Sequence, residues 1–388
     1  LATTKANSSF IKNSDKTVLP ISVPERLLLG PGPSNSHPSV LKALSLQPVG
    51  HLDPFYINLM AEVQGLLRQV WKTNNRLTLP MSGTGSAAME ATLANILEPG
   101  DSVLVGIKGY FGNRLADMAS RYQANVNKIE KKWGEAFTLE EIEEAIIKFK
   151  PSVLALVHAE TSTGVCQPMQ GIGDLCRKYD CLLILDTVTS LGSIPLYLDD
   201  WKVDLAYSCS QKGLSCPPGL GPFTMNERAE EKLNNRNSKV PNWYLDVSLL
   251  NKYWGSDRVY HHTAPVNMNF GIREALRLIV EEGIENSWNR HKRNALELWN
   301  GLEKLGLELY VEEKLRLPTL TTVKIPEGIN GKDFTLHLLN EHGVEIGGGL
   351  GDLAGKVWRI GLMGYNSKTE NVEKVLNLFE TELPKFKS

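Results

Sequence analysis

The sequence predicts an α/β fold, a mostly parallel sheet with helices on both faces, followed by a smaller C-terminal α/β domain. Two observations carry this. Short apolar runs alternate with helix-like stripes through the middle of the chain, the rhythm of strands joined by crossover helices. Polar residues of chemical interest then fall at the ends of those runs, where open α/β sheets place their ligands. A long helical stretch, roughly residues 269–305, closes this part, and the pattern beyond it changes. The expected division is an N-terminal arm (1–24), a large domain (25–284) and a small domain (285–388).

The elements follow in order. Residues 55–73 place Leu59, Met60, Val63, Leu66, Leu67 and Val70 on one helical stripe. Residues 77–79 read as a short strand, and 86–97 as a helix stopped by Glu98-Pro99-Gly100. The runs 102–105, 152–157, 182–185 and 205–207 read as strands of the sheet. Beyond the long helix, 319–325 and 356–361 read as strands, and 332–342 and 369–383 as helices. The first sixteen residues are polar, with three lysines and no arginine, and read as a frayed tail rather than a targeting segment. The final Lys385-Phe386-Lys387-Ser388 is not a peroxisomal Ser-Lys-Leu address.

Composition excludes several classes. A net charge of −2 and 22% charged residues over 388 give no surface suited to nucleic acid or membrane. No apolar run approaches the ~18–20 residues of a membrane span. The five cysteines (Cys166, Cys176, Cys181, Cys209, Cys216) are an odd number without CxxC spacing. That argues against a zinc site or a disulfide scaffold and fits a reducing, cytoplasmic compartment.

Lys212 is the residue around which the motifs gather. It follows the run 205–207 and precedes a Pro/Gly-rich stretch, on tight loop backbone past a strand. Asp186 ends the run before it. A lysine amine and an acid at strand ends are the minimum set for holding pyridoxal phosphate: the amine forms a Schiff base with the aldehyde, and the acid keeps the pyridine nitrogen protonated. Ser82-Gly83-Thr84-Gly85-Ser86 opens a helix after a strand, where backbone N–H groups and hydroxyls make an anion site. The same letters satisfy G-x-G-x-x-A, a dinucleotide fingerprint, but the next strand ends Val105-Gly106-Ile107-Lys108 without the acid that reading needs. Phe111 after the second strand reads as a cofactor-stacking aromatic or as core. His158 reads as a general base or a structural histidine, and no serine or cysteine nucleophile motif accompanies it. In Tyr260-His261-His262-Thr263 the adjacent histidines diverge, so no metal site is expected. Arg359, in an apolar strand, reads as an internal ion pair or as a bidentate clamp on a substrate carboxylate.

With these residues in place, the chain resembles the fold-type I pyridoxal-phosphate aminotransferases of the alanine–glyoxylate/serine–pyruvate branch (class V). The resemblance runs from about Leu27 to the C-terminal helix. It is carried by Gly30-Pro31-Gly32-Pro33, Ser82-Gly83-Thr84-Gly85, Glu160-Thr161-Ser162-Thr163-Gly164, Asp186-Thr187-Val188, Ser210-Gln211-Lys212, Tyr260-His261-His262-Thr263 and Arg359-Ile360-Gly361. It implies a mostly parallel seven-stranded sheet with Lys212 as the Schiff-base lysine and Asp186 on the pyridine nitrogen. Val188 is implied under the ring, Thr161 near its hydroxyl, and Thr84, Gly85, Ser86 and Gln211 on the phosphate. Tyr260 and Thr263 are implied to complete the phosphate site of a neighbouring subunit, which makes the protein a homodimer with shared active sites. Arg359, with Gly32, is implied to bind the substrate carboxylate. Animal members stack a tryptophan on the ring where this chain has Phe111, beside Tyr110. The implied activity is ping-pong transfer of an amino group from alanine or serine to glyoxylate or pyruvate. Alternatives on the same fold are phosphonate- or kynurenine-type transaminases and a cysteine desulfurase. The last needs a cysteine in the smaller domain, and all five precede residue 217. A nicotinamide dehydrogenase and a non-catalytic subunit of a larger complex complete the alternatives.

Overall fold

The computed structural model describes residues 19–387. The polar tail expected over the first sixteen residues lies outside the described residues, as does most of the arm.

Seven strands form the central sheet. Their order is Leu77–Ser82, Leu220–Met225, Leu205–Tyr207, Leu182–Asp186, Val153–Val157, Ser102–Ile107, Asn125–Glu130. From Leu205–Tyr207 to Asn125–Glu130 all neighbours run parallel, and Leu220–Met225 is antiparallel to both of its neighbours. The inner strands are buried along their whole length except at Ser102, as expected of a sheet covered on both faces. Parallel neighbours require crossovers, and helices supply most of them.

Local chemistry sets the helix limits. Asp53 caps Pro54–Trp71 by accepting from the Phe55 N–H at 2.8 Å, and Pro54 fills a first-turn position that needs no donor. Its buried stripe, including Leu59, Val63, Leu67 and Val70, is the one the period marks out. Thr138 and Glu141 form a reciprocal capping box on Leu139–Phe149.

The expected long helix is two helices, Val266–Glu282 and Ile284–Lys304. Gly283 separates them at φ 87°, in the left-handed region that only glycine enters cheaply. The break follows from that one residue, because the apolar period continues across it.

Two large apolar cores result among the described residues, with a small third cluster of Ala159, Ile194, Leu317, Leu320 and Met363. The larger surrounds the central sheet between Val40 and Ile279. The second packs Ala295, Leu298, Leu302, Phe334, Trp358 and Phe379 around a three-stranded antiparallel sheet of Leu320–Lys324, Val357–Gly361 and Gly347–Gly348. Leu29 belongs to this second core, and Leu27–Leu28 pairs in parallel with Val344–Glu345. Among the described residues no helix is long and apolar enough to cross a membrane.

Candidate active site

The carboxyl ends of the parallel strands open into a cavity of about 720 Å³ including its mouth, within the range that holds a cofactor-sized ligand. Its lining brings together Thr84, Gly85 and Ser86 at one helix start, Phe111 at another, and Thr161, Asp186, Val188, Gln211 and Lys212 on strand-end loops.

The Thr84–Ser86 turn is an anion site by construction. Thr84 is the N-cap of Gly85–Ile96, yet its hydroxyl makes no capping bond. The first-turn N–H groups and the positive end of the helix dipole face that position. Gly85 is required by packing. A Cβ there would lie 2.6 Å from Cys209 Cβ and 3.3 Å from Ser208 O, so only glycine lets this helix approach the Lys212 loop. Gln211 carries a buried amide oxygen without a partner. Half a turn of its amide presents N–H instead, which suits an anion.

Asp186 ends its strand with both oxygens engaged. Val188 N–H donates to Oδ1 at 2.8 Å and the Tyr207 hydroxyl donates to Oδ2 at 2.6 Å. Burial raises its carboxyl to about 6, against the lowering effect of those two bonds. The group is therefore a carboxylate at neutral pH, aimed into a dry site.

Lys212 lies half-buried on the loop past Leu205–Tyr207. Burial lowers its ammonium from the ordinary lysine value, Arg359 adds to that, and Cys209 and Asp186 oppose it. Nζ donates to the Pro31 carbonyl. Gly32, at φ 104°, passes so close that a Cβ would lie 2.7 Å from Lys212 Cε. Ser34 fixes this crossing: its N–H donates to Gln211 O at 2.9 Å and its hydroxyl to Lys212 O at 2.9 Å.

Arg359 is buried in the middle strand of the second sheet. Its Nε donates to Gly348 O at 2.7 Å and its Nη1 to Thr161 O at 3.1 Å. The internal ion pair weighed above is not what holds it; carbonyl oxygens are. Burial lowers the guanidinium to about 10, so it remains a cation at neutral pH.

Tyr260 and Thr263 stand apart from this cavity, and both are exposed. Their segment is nonetheless tied to the anion turn, because His262 Nε2 and Ser82 Oγ are 2.7 Å apart. His158 is fully buried, and burial depresses its imidazole to about 3, so it stays neutral and its ring sits edge-on to Trp201. That is the structural histidine. His261 and His262 do not diverge as expected: their Nδ1 atoms lie 2.8 Å apart. Elsewhere, His337, His342 and Glu382 lie at ligand-like separations, and the Lys385 ammonium takes both Glu382 oxygens at 2.8 Å.

Several lining residues were not named from the sequence. Tyr207 is opposite Asp186 in the parallel register, a position visible only once the strands are paired. Arg114 lies one turn beyond Phe111 on the same helix, with its guanidinium 4.9 Å from that ring. The i, i+3 spacing held that signal. Cys209 was counted only as a thiol.

The donor set fits pyridoxal phosphate: an anion turn, a buried carboxylate for a ring nitrogen, a flanking aromatic and a lysine of lowered basicity around one cavity. The comparisons agree. Alanine–glyoxylate aminotransferase of Mus musculus is 47% identical over 360 residues, 92% of this chain and 87% of that protein. (S)-Ureidoglycine–glyoxylate transaminase of Bacillus subtilis is 39% identical over 93% of this chain and 91% of its own length. The crystal structure of an alanine–glyoxylate aminotransferase from Nostoc sp. superposes with a TM-score of 0.94 at 61% identity, over 96% of this chain and 99% of that one. A cysteine desulfurase from Thermococcus onnurineus, 15% identical with a TM-score of 0.73, shares the fold alone. The model of the family described as aminotransferase class-V matches residues 32–375, and the chain accordingly belongs to the class-V aminotransferases, pyridoxal-phosphate enzymes of fold type I.

Proposed function

We propose that this chain moves an amino group from a small L-amino acid, alanine or serine, to glyoxylate or pyruvate, with pyridoxal phosphate in the cavity above. The observation that carries the reading is the convergence of Lys212, Asp186 and the Thr84–Ser86 turn on one cavity whose wall residue Thr161 is bonded to Arg359. When bound, the cofactor supplies an electron sink for charge developing at the substrate Cα.

Each role belongs to a residue of this chain. Thr84, Gly85, Ser86 and Gln211 hold the phosphate, and Phe111 and Val188 flank the ring, with Thr161 beside its hydroxyl. Asp186 keeps the proton on the ring nitrogen. Lys212 would hold the cofactor through its amine, and its Nζ would be the base placed to take up the substrate Cα proton. Its lowered basicity favours the free amine this step needs. Arg359 binds the substrate carboxylate, with Gly32, which lies against Lys212, contributing to the same subsite. Supporting the acceptor, both the alanine and the ureidoglycine relatives carry glyoxylate in their names. The donor differs between them and rests on the closer identity to the alanine enzymes.

The working unit is a homodimer in which Tyr260 and Thr263 complete the phosphate site of the partner subunit. Their exposure, together with exposed Trp243, Tyr244 and Val259 nearby in the chain, supports this. The two apolar cores support a division near residue 285.

The test is spectroscopic. The purified protein should show a near-visible absorbance band with pyridoxal phosphate, and alanine should change it. Lys212→Ala should abolish both that response and turnover. Absence of cofactor uptake or of transamination by the wild type defeats the reading. A panel of amino donors against glyoxylate, pyruvate and 2-oxoglutarate ranks the substrates.

A further inference from the structure

Three neighbouring strands of the central sheet end side by side, and each end carries a titratable side chain. Val103 pairs with Val153 and Val105 with Ala155, so the register continued past the strands sets Lys108 beside His158. Val157 pairs with Asp186 in turn. Glu160 follows two residues beyond His158, with its backbone paired to Val165. All four side chains are buried, Lys108 to 1% exposure and Glu160 to none. Among the described residues, Lys108 Nζ, His158 Nδ1 and Glu160 Oε2 have no hydrogen-bond partner. Asp186, by contrast, uses both oxygens.

Such a cluster must balance its charge internally. Two buried carboxylates repel, and one takes up a proton unless a cation shares their enclosure. His158 cannot be that cation, because burial and Lys108 keep it neutral. Arg359 is drawn to Glu160 but does not act on Asp186, and Lys212, under the function proposed above, is committed to the cofactor. Lys108 remains: burial lowers its ammonium from the ordinary lysine value, and Glu160, Cys166 and Asp186 oppose that lowering. Glu160 has a second duty. Its Oε1 accepts from Ser162 Oγ at 2.5 Å and from Phe111 N at 3.5 Å, and Ser162 Oγ accepts from Tyr110 N at 2.9 Å. This anchors the start of the helix that carries Phe111.

We propose that Lys108 and Glu160 are positioning residues for the cofactor, a buried cation and anion of opposite effect that together set how firmly Asp186 keeps its negative charge toward the ring nitrogen. The proposal rests on the function assigned above. Neither residue lines the cavity, so both act through Asp186.

The sign follows from the charges. Asp186 is raised to about 6 by burial, with Glu160 adding to the rise and Tyr207, Val188 and Lys108 opposing it. Its carboxylate is present above pH 6 and is lost as pH falls through that value, and the hold on a protonated ring goes with it. Removing the Lys108 charge moves this acid limb up; removing the Glu160 charge moves it down. The other groups that act on or adjoin Asp186 are Tyr207 on the adjacent strand, Cys209 and Lys212 on the following loop, and His158, whose backbone N–H donates to the Asp186 carbonyl at 3.1 Å. Burial raises Tyr207 and Cys209, so both stay uncharged throughout this window.

The experiment titrates cofactor-stripped full-length protein with pyridoxal phosphate from pH 5 to pH 9, following tryptophan fluorescence and near-visible absorbance. Lys108→Met should move the acid limb of affinity up by about one pH unit, leaving binding about tenfold weaker near pH 6.5 and close to wild type at pH 9. Lys108→Arg should restore the wild-type limb. Glu160→Gln, which keeps an oxygen for Ser162 and Phe111, should move the limb down. Opposite movement is what structural damage cannot produce. Equal weakening at all pH values, movement of both variants in one direction, or no movement overturns the proposal. If Lys108→Met fails to fold, the downward shift of Glu160→Gln decides alone. A wild type that binds no pyridoxal phosphate would instead sink the functional reading.

Discussion

Arg359 owes its availability to its surroundings. Two of its N–H groups are spent on backbone carbonyls, which orient the guanidinium without neutralising it. A buried cation with backbone carbonyls on two of its N–H groups and no carboxylate in hydrogen-bond contact has donors left for an anion, and a substrate carboxylate would satisfy them. Arg359→Ala should therefore raise KM for the amino acid by roughly 10–100-fold, the loss expected for charge-assisted hydrogen bonds, while the cofactor absorbance band stays. Unchanged KM would remove Arg359 from this role. Arg359→Lys should recover little, since an ammonium reproduces neither the fork nor the two carbonyl bonds.

At the scale of elements, the Gly85–Ile96 helix approaches the Lys212 loop closely enough to exclude a side chain at its first residue. Gly85→Ala places a methyl group 2.6 Å from Cys209 Cβ. The expected result is a loss of about 1–3 kcal/mol of stability, read by thermal melting, with weaker cofactor affinity from the displaced turn. A melting temperature and affinity equal to wild type would contradict it. The same elements explain what the sequence reading caught. Strands buried on both faces, such as Val153–Val157 and Leu182–Asp186, are uninterrupted apolar runs and announce themselves. Asn125–Glu130 does not, because it is an edge strand whose alternate residues face outward among Asn, Lys and Glu. Leu220–Met225 is hidden for another reason. It contains Gly221 and Pro222, which read as turn formers, yet Pro222 faces Pro80 in register and Gly221 clears Ala88. Gly283 passed unnoticed inside a continuing helical period, where a positive φ leaves no mark.

For the whole molecule, legibility depended on whether a residue acts where its own strand puts it. Lys212, Asp186 and the Thr84–Ser86 turn lie at strand ends and helix starts, so local pattern sufficed to mark them. Lys108 and Glu160 gain meaning only when three strands are laid side by side, a relation no window of sequence contains. Tyr260 and Thr263 lie outside the cavity of their own subunit, and a hybrid experiment tests where they act. Mixing Lys212→Ala chains with Tyr260→Ala chains should regenerate one intact site per hybrid dimer and restore activity that neither variant has alone. No recovery would place Tyr260 in its own subunit's chemistry.

The segment from Leu27 to Ser34 joins the two cores like a tie rod. At one end Leu29 is clamped in the second core, and its carbonyl takes the Gly361 N–H at 2.7 Å from the strand that bears Arg359. At the other, Ser34 is fastened to the backbone of Gln211 and Lys212. Between them Pro31 and Gly32 lie against the lysine amine. The strand that bears Arg359 and the loop that bears Lys212 are thereby held to one another through a single short segment of backbone.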